Sequence, residues 1–398
     1  MNECFIFDAI RTPRAKGKLG GELSSLRPID LLAALLIKLK ERQHFDDTDI
    51  SDFVLGCVTQ IGEQGGNLSK SALQLADYAD SIAGVTLNRF CASGLESLNI
   101  AAAKIMSGMD DLILCGGVES MSRVEMLSDG GAWMNDEELM KKVHYIPQGV
   151  SADVIATINN FSRQQVDEFA QSSQKRAFAA QNSSRLKSVI PILTNEGHLL
   201  DKDMYLRPET SLEKLSGLRP AFKNLGEKYD EIALRKFSHL SSIDHVHHAG
   251  NSSGIVDGAS LLLVGSSSAA KKFNLRPRAK IKSFAILADD PTLMLTAPAP
   301  VTLKALKKAG ISLNQVDLFE VNEAFASVVL HFMKELNLND RKINVNGGAI
   351  AFGHPLGATG GMLVGTILDE LEMRDLKTGV VTLCAGGGMG IATVIERI

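Results

Sequence analysis

The chain has 398 residues, 45% of them hydrophobic, with a net charge of −4 from 42 basic and 46 acidic side chains interspersed along its length. That length holds two core-sized units, no basic run marks a nucleic-acid surface, and no apolar run nears the ~20 residues of a membrane helix. The opening MNECFIFDAIRTP lacks a charged leader and a long apolar stretch, and five scattered cysteines form no CxxC pair, so a cytoplasmic protein with reduced thiols and neither zinc site nor disulfide framework is expected.

Apolar spacing predicts a first helix over 30–41, followed by the buried strand FVLGCVTQ. A β-branched run with Ile82, Val85 and Leu87 then leads into NRFCASG, after which Leu95, Leu98, Ala101, Ala102 and Ile105 recur at helical spacing. DLILCGGVE reads as the next buried strand. Residues 121–247 differ in character: they hold the one Trp, Pro-punctuated turns and charged helical stretches. Beyond them ASLLLVGS and AKIKSFAIL read as strands, VTLKALKKAG as a helix and VDLFEVNEA as a strand end. The segment INVNGGAIAFGHPLG, the helix ATGGMLVGTILDELE and the strand GVVTLCAGGG complete the chain.

The alternation of strands and helices argues for an α/β architecture. The two ends also echo each other, element by element, at an offset of roughly 260–270 residues, too long for a solenoid repeat. The expected organisation is a duplicated α/β plan. Residues 1–120 with 248–270 form one half and 271–398 the other, with 121–247 an inserted loop domain carrying recognition and oligomer contacts. Each half would offer its strand-end loops to one shared cleft.

Four stretches carry chemistry. Cys91 lies where a strand turns into a buried helix, near unpaired N–H groups and the positive end of a helix dipole, which favour a thiolate. Alone, a cysteine beside apolar residues is more often a small buried hydrophobe. His354, among glycines in GHPLG, suits proton transfer because its pKa lies near neutrality. Cys384 ends a buried strand before three glycines whose N–H groups suit an anion nest or oxyanion hole. Cys115 holds the equivalent place in the first half and reads as a structural relative. Asn322, in VNEAFA, either holds an ordered water or substrate oxygen, or caps the following helix.

Together NRFCASG, NEAF, GHPLGATG and CAGGG, in this order, resemble the thiolase family. The resemblance extends over the whole chain, including RTPRAKGKLGGEL and AGNSSGIVDGAS. It implies layered αβαβα domains and reversible Claisen condensation or thiolysis: acetyl-CoA plus acyl-CoA gives 3-ketoacyl-CoA plus CoA. Acetyl-CoA C-acetyltransferase is the expected activity. By similarity Cys91 carries the acyl group and His354 activates it, while Cys384 moves the α-proton. Asn322, through a water, and His354 hold the enolate oxygen. The N–H groups of Cys91 and Gly386 hold the tetrahedral oxyanion. The same likeness nominates Ala249, Ser253, Ala324 and Phe325 for the pantetheine channel and Arg219 for the adenine nucleotide end. It implies no cofactor beyond CoA as substrate, no metal, and acyl-CoA and CoA as partners within a homodimer or homotetramer, with neither nucleic acid nor membrane.

Two departures from the family pattern bear on specificity. Pro147 and Gln148 stand where many biosynthetic members have a His-Met pair, which puts strict acetoacetyl specificity in doubt. The stretch 223–248 is longer than in compact members and ends in HVHH, expected as a loop against the CoA chain rather than as a metal site. Among rival readings, a decarboxylating ketoacyl-synthase-type enzyme would lack the second cysteine of CAGGG. An inactive CoA- or lipid-binding relative would be expected to have lost Cys91, His354 or Cys384. A dinucleotide-binding enzyme is excluded because no GxGxxG follows the first strand.

Overall fold

The computed structural model describes residues 2–43, 45–183 and 185–398. Strand β1 (Phe5–Arg11) is buried throughout. Helix α1 (Pro28–Arg42) follows, then β2 (Asp52–Gly56), α2 (Leu68–Leu75), β3 (Ala83–Leu87), α3 (Ser93–Ser107) and β4 (Leu112–Glu119). The segment beyond includes the helices α4 (Gln148–Asn159), α5 (Arg163–Asn182) and α6 (Lys223–Lys236). Strand β5 (Val256–Gly265) returns to the first half, pairing antiparallel with both β1 and β4. The second half runs β6 (Ala279–Ala288), α7 (Pro298–Ala309), β7 (Leu318–Val321), α8 (Ala326–Glu335), α9 (Thr359–Met373), β8 (Thr378–Ala385) and β9 (Met389–Arg397).

The spatial strand order is β3-β2-β4-β5-β1-β6-β9-β8-β7. In each half the strands entering catalytic-type loops pair in parallel, β2 with β3 and β4, β7 with β8. Such strands are shielded on both faces, which explains why LILCGGVE and TGVVTLCA are buried at every position. The halves join edge to edge where Phe5 pairs with Lys280 and Ile6 with Ala279, flanked by Ile281 N to Cys4 O and Arg278 N to Ile6 O.

Three apolar clusters define the layers. One packs α1 and α2 on the outside of the first half, through Leu31, Leu35, Leu73, Phe53 and Leu114. Another packs α7 and α8 outside the second half, through Val301, Leu306, Val329, Phe332 and Val380. Between them, Leu95, Leu98 and Ala102 of α3 meet Val364, Ile367 and Leu371 of α9, with strand residues Val54, Ile113, Val381 and Leu383 from both halves. This is the αβαβα layering, with α3 and α9 as the shared middle layer. The repeat is imperfect at one place. Where the first half has β3, the second has only a single parallel bridge between Phe319 and Ile343, so the INVNGG stretch is a loop rather than a strand. Asn344 accounts for this: its side chain accepts from Val321 N (2.8 Å) and donates to Val321 O (2.8 Å), occupying the edge a strand would use.

Glycine sets how near the two middle helices come. A Cβ at Gly94 would lie 2.5 Å from Gly357 O, and one at Gly360 would lie 2.1 Å from Leu95 N. Only bare backbone permits that approach. It carries the GHPLG loop of the second half onto the NRFCASG turn of the first. Among the described residues no helix is long and apolar enough to cross a membrane.

Candidate active site

The turn that presents Cys91 is built by its own neighbours. Asn88 Oδ1 accepts from Phe90 N at 2.7 Å, Arg89 N donates to Ser93 Oγ at 2.8 Å, and Ser93 Oγ donates to Phe90 O at 2.6 Å. These bonds hold Phe90 at φ 48°, a left-handed conformation that costs a bulky residue on the order of 1–3 kcal/mol. Cys91 follows immediately, one residue before the N-cap of α3, and is 7% exposed.

The charge state differs from the thiolate expected at a helix N-terminus. Burial raises the Cys91 pKa to about 11, outweighing its own backbone N–H and the Gln148 side chain, both of which favour the anion. Glu119 adds a further upward push. Its carboxyl is itself buried, accepting from Val58 N, Thr59 N, Gln64 Nε2 and Gly357 N at 2.9–3.1 Å. Glu119 thereby ties the GHPLG loop to the first half.

His354 is 4% exposed, and burial followed by the charge of Arg14 lowers its pKa to about 3. It is therefore a neutral imidazole near pH 7, and its tautomer follows from the hydrogen bonds around it. Thr359 Oγ1 has one proton and donates it to Pro355 O at 2.9 Å, so at 2.6 Å it accepts from His354 Nδ1–H. The lone pair is left on Nε2, toward which Asn322 Nδ2 donates at 3.3 Å. Asn322 is 1% exposed, and its Oδ1 has no partner among the described residues. The alternative of helix capping is not what the structure has: α8 begins at Ala326, with Phe325 at the N-cap position.

Cys384 ends β8, fully buried among Ala324, Phe325, Met294 and Ile155. Burial and then Cys91 push its thiol well up. Gly386 opens the turn into β9; a Cβ there would meet the Phe90 ring at 3.1 Å, which places this turn against the residue preceding Cys91. Ser253 N donates to Ala324 O at 2.9 Å, Ser252 bridges Phe325, and His354 N donates to Gly254 O at 2.9 Å. Cys91, His354, Cys384, Asn322, Gly386, Ser253, Ala324 and Phe325 thus form one connected neighbourhood. Ala249 lies further out, lining a surface cavity of ≈280 Å³ with Arg207 and Lys214. Arg219 is exposed and is not part of that lining.

The HVHH stretch turns inward. His245 Nδ1 and His247 Nδ1 contact Asp153 at 2.8 and 2.7 Å, His245 Nε2 contacts Asp230 at 3.0 Å, and His248 Nε2 contacts Asp167 at 2.9 Å. His247 packs edge-on against Phe325, with ring centroids 5.5 Å apart. The 223–248 stretch thus forms helix α6 and a buried histidine–aspartate network beside Phe325 rather than an open loop. Sequence reasoning missed Glu119 and Thr359, and took Gln148 for acyl specificity only, not for a contact with Cys91. The Thr of GATGG had a signal, being about one helical turn beyond His354; Glu119 had none that linked it to Cys91.

Residues 4–228 match the thiolase N-terminal domain family and residues 275–397 the thiolase C-terminal domain family. The chain is 38% identical over 410 residues to a 3-ketoacyl-CoA thiolase of Colwellia psychrerythraea, covering 100% of both chains. It is 39% identical over 409 residues to the 3-ketoacyl-CoA thiolase of Citrobacter koseri, again covering 100% of both. The solved structures of Bacillus anthracis acetyl-CoA acetyltransferase and human mitochondrial 3-ketoacyl-CoA thiolase each superpose with a TM-score of 0.87 at 31% identity, covering 100% of this chain and 99% of theirs. The fold agrees with these solved structures and the sequence with these relatives across the full length, and the chain belongs to the thiolase family.

Proposed function

We propose that this protein is an acyl-CoA C-acyltransferase that interconverts acetyl-CoA plus acyl-CoA with 3-ketoacyl-CoA plus CoA. The observation that carries the reading is that the Cys91 turn meets both the Gly386 turn after Cys384 and the loop that holds the buried His354–Asn322 pair. In thiolysis, His354 Nε2 takes the Cys91 proton as the sulfur attacks the 3-keto carbonyl, since a free thiolate is disfavoured by burial. The C2–C3 bond then breaks, leaving the acyl group on Cys91. The electron pair passes to the enolate of acetyl-CoA, which Cys384 protonates at carbon. CoA gives its thiol proton to the Cys384 thiolate and attacks the acyl-enzyme, releasing acyl-CoA, while His354 returns its proton to Cys91. Asn322, through a water that its open Oδ1 would accept from, and His354 once protonated hold the enolate oxygen, and the N–H groups of Cys91 and Gly386 hold the tetrahedral oxyanion. Every proton has a residue to carry it, so the scheme calls for no cofactor beyond CoA as substrate.

Curated relatives carry the name 3-ketoacyl-CoA thiolase and one structural neighbour that of an acetyl-CoA acetyltransferase. We read acetoacetyl-CoA as the first substrate to test, with longer 3-ketoacyl chains admitted where Gln148 replaces the methionine of short-chain members. Ala249, Ser253, Ala324 and Phe325 line the pantetheine path in this reading, and Arg219 meets the nucleotide end. A homodimer or homotetramer in the cytoplasm is the proposed setting. A ketoacyl-synthase-type enzyme or an inactive CoA-binding relative is not favoured by these comparisons. The test is spectrophotometric: thiolytic loss of the acetoacetyl-CoA signal on adding CoA, abolished in Cys91→Ala. No turnover with any member of a 3-ketoacyl-CoA chain-length series would overturn the reading.

A further inference from the structure

The opening RTPRAKGKLGGEL contains a residue that none of the chemistry above has used. Arg14 is 2% exposed, an unusual burial for a guanidinium, and no carboxylate hydrogen-bonds its side chain. Its Nη1 donates to Gly353 O at 3.2 Å, the carbonyl immediately before His354. Its Nε points to Met362 Sδ at 3.1 Å on α9, and its guanidinium lies over the Phe352 ring at 5.3 Å. From the other side its backbone N donates to Asp203 Oδ1 at 2.9 Å, and Asp203 is already saturated by the Arg11 fork at 2.7 Å on both oxygens. A cation carried by the first half is thus clamped onto the residues that flank the catalytic-type histidine of the second.

We propose that Arg14 is a positioning residue for the thiolase reaction: it fixes the Phe352–Gly353–His354 turn and places a permanent positive charge beside the imidazole. This rests on the thiolase reading of the site. Burial and the neighbouring Arg11 lower the Arg14 pKa to about 9, so it remains a cation at neutral pH. The charged groups facing it are Arg11, Asp203, Glu320 and Glu323. Thr359 and Asn322 face His354 through hydrogen bonds, Cys91 and Cys384 are the titratable groups of the site itself, and Arg14 is the charge that acts on the imidazole. A cation there disfavours imidazolium, so His354 is unprotonated before the reaction; the same charge opposes its taking the Cys91 proton, and Arg14 therefore sets the pH range over which the base is free rather than its strength.

The wild-type protein is first assayed for acetoacetyl-CoA thiolysis, which tests the underlying reading by itself. The pH profile of kcat/KM is then compared for wild type, Arg14→Met, Arg14→Gln and Arg14→Lys, each checked for folding by thermal melt. Removing the charge raises the imidazole pKa, so Met and Gln should move the acid limb upward by about one pH unit while KM stays within about three-fold. Lys, charged in the acidic range where the limb lies, should leave the limb in place although it loses the single guanidinium bond to Gly353 O. Folded Met or Gln variants with an unmoved limb, or a Lys variant that shifts as far as Gln, would overturn the proposal. Failure of all three to fold would also overturn it, assigning Arg14 to stability alone.

Discussion

Replacing Thr359 by Val removes one hydroxyl from the base while keeping the side-chain shape. Among the described residues that hydroxyl is the only acceptor on His354 Nδ1, at 2.6 Å, and its own proton is committed to Pro355 O. Without it, a buried Nδ1–H has no partner, a loss of about 1–3 kcal/mol for that tautomer. The alternative tautomer, protonated on Nε2, loses nothing comparable. The Asn322 amide can turn so that its unpartnered Oδ1 accepts from Nε2–H. The imidazole would then present a proton where the thiol needs a lone pair. Population of the working tautomer, and with it kcat/KM, should fall by about 10- to 100-fold, since each 1.4 kcal/mol is a factor of ten. Thiolysis of acetoacetyl-CoA over a range of CoA concentrations measures this, and Thr359→Ser should restore most of the rate. Full activity in the Val variant, with a melting temperature like that of wild type, would refute the assignment of base and tautomer.

Other consequences follow from the same geometry. Cys384→Ala should still form the acyl-enzyme on Cys91 but lose α-proton exchange of acetyl-CoA in D2O, so exchange at the wild-type rate would remove Cys384 from its role. Gly360→Ala places a Cβ 2.1 Å from Leu95 N; α3 and α9 must part, and a loss of roughly 2–3 kcal/mol or more in denaturant unfolding is expected, whereas an unchanged midpoint would show that the helices have slack. The histidine–aspartate network sets a pH signature. Hydrogen bonding to Asp153, set against burial and reinforced by Asp230, raises the His245 pKa above 6.5. A raised pKa means that the stabilisation is fully present below pH 6.5 and is lost as the pH climbs through the folded-state value. The melting temperature of wild type should therefore decline over that rise, and Asp153→Asn should flatten the decline; equal slopes in the two proteins would separate His245 from stability.

Much of the site was legible before any coordinates. Cys91, His354, Cys384 and Asn322 each interrupt an apolar pattern at a strand or helix end, and a reactive residue there stands out because packing alone does not ask for it. The duplicated order of elements was legible for the same reason, since burial on both faces leaves continuous apolar runs in β4 and β8. The loop at 343–347 was not. Its residues alternate like a strand, but Asn344 takes up the hydrogen bonds of Val321, a partner 23 positions away. The HVHH stretch misled similarly, because its direction depends on Asp153 and Asp167 from α4 and α5.

The sequence by itself determined which residues are unusual for their surroundings and in what order the two halves present them, because periodicity and residue type are local properties. Charge state and partnership were decided only by the tertiary structure. The helix start at Cys91 favours an anion, yet burial from both halves prevails and leaves a thiol with a pKa of about 11. The neutral state of His354 comes from its enclosure and from Arg14, 340 positions earlier in the chain. Desolvation and through-space charge act over distances that sequence separation does not encode.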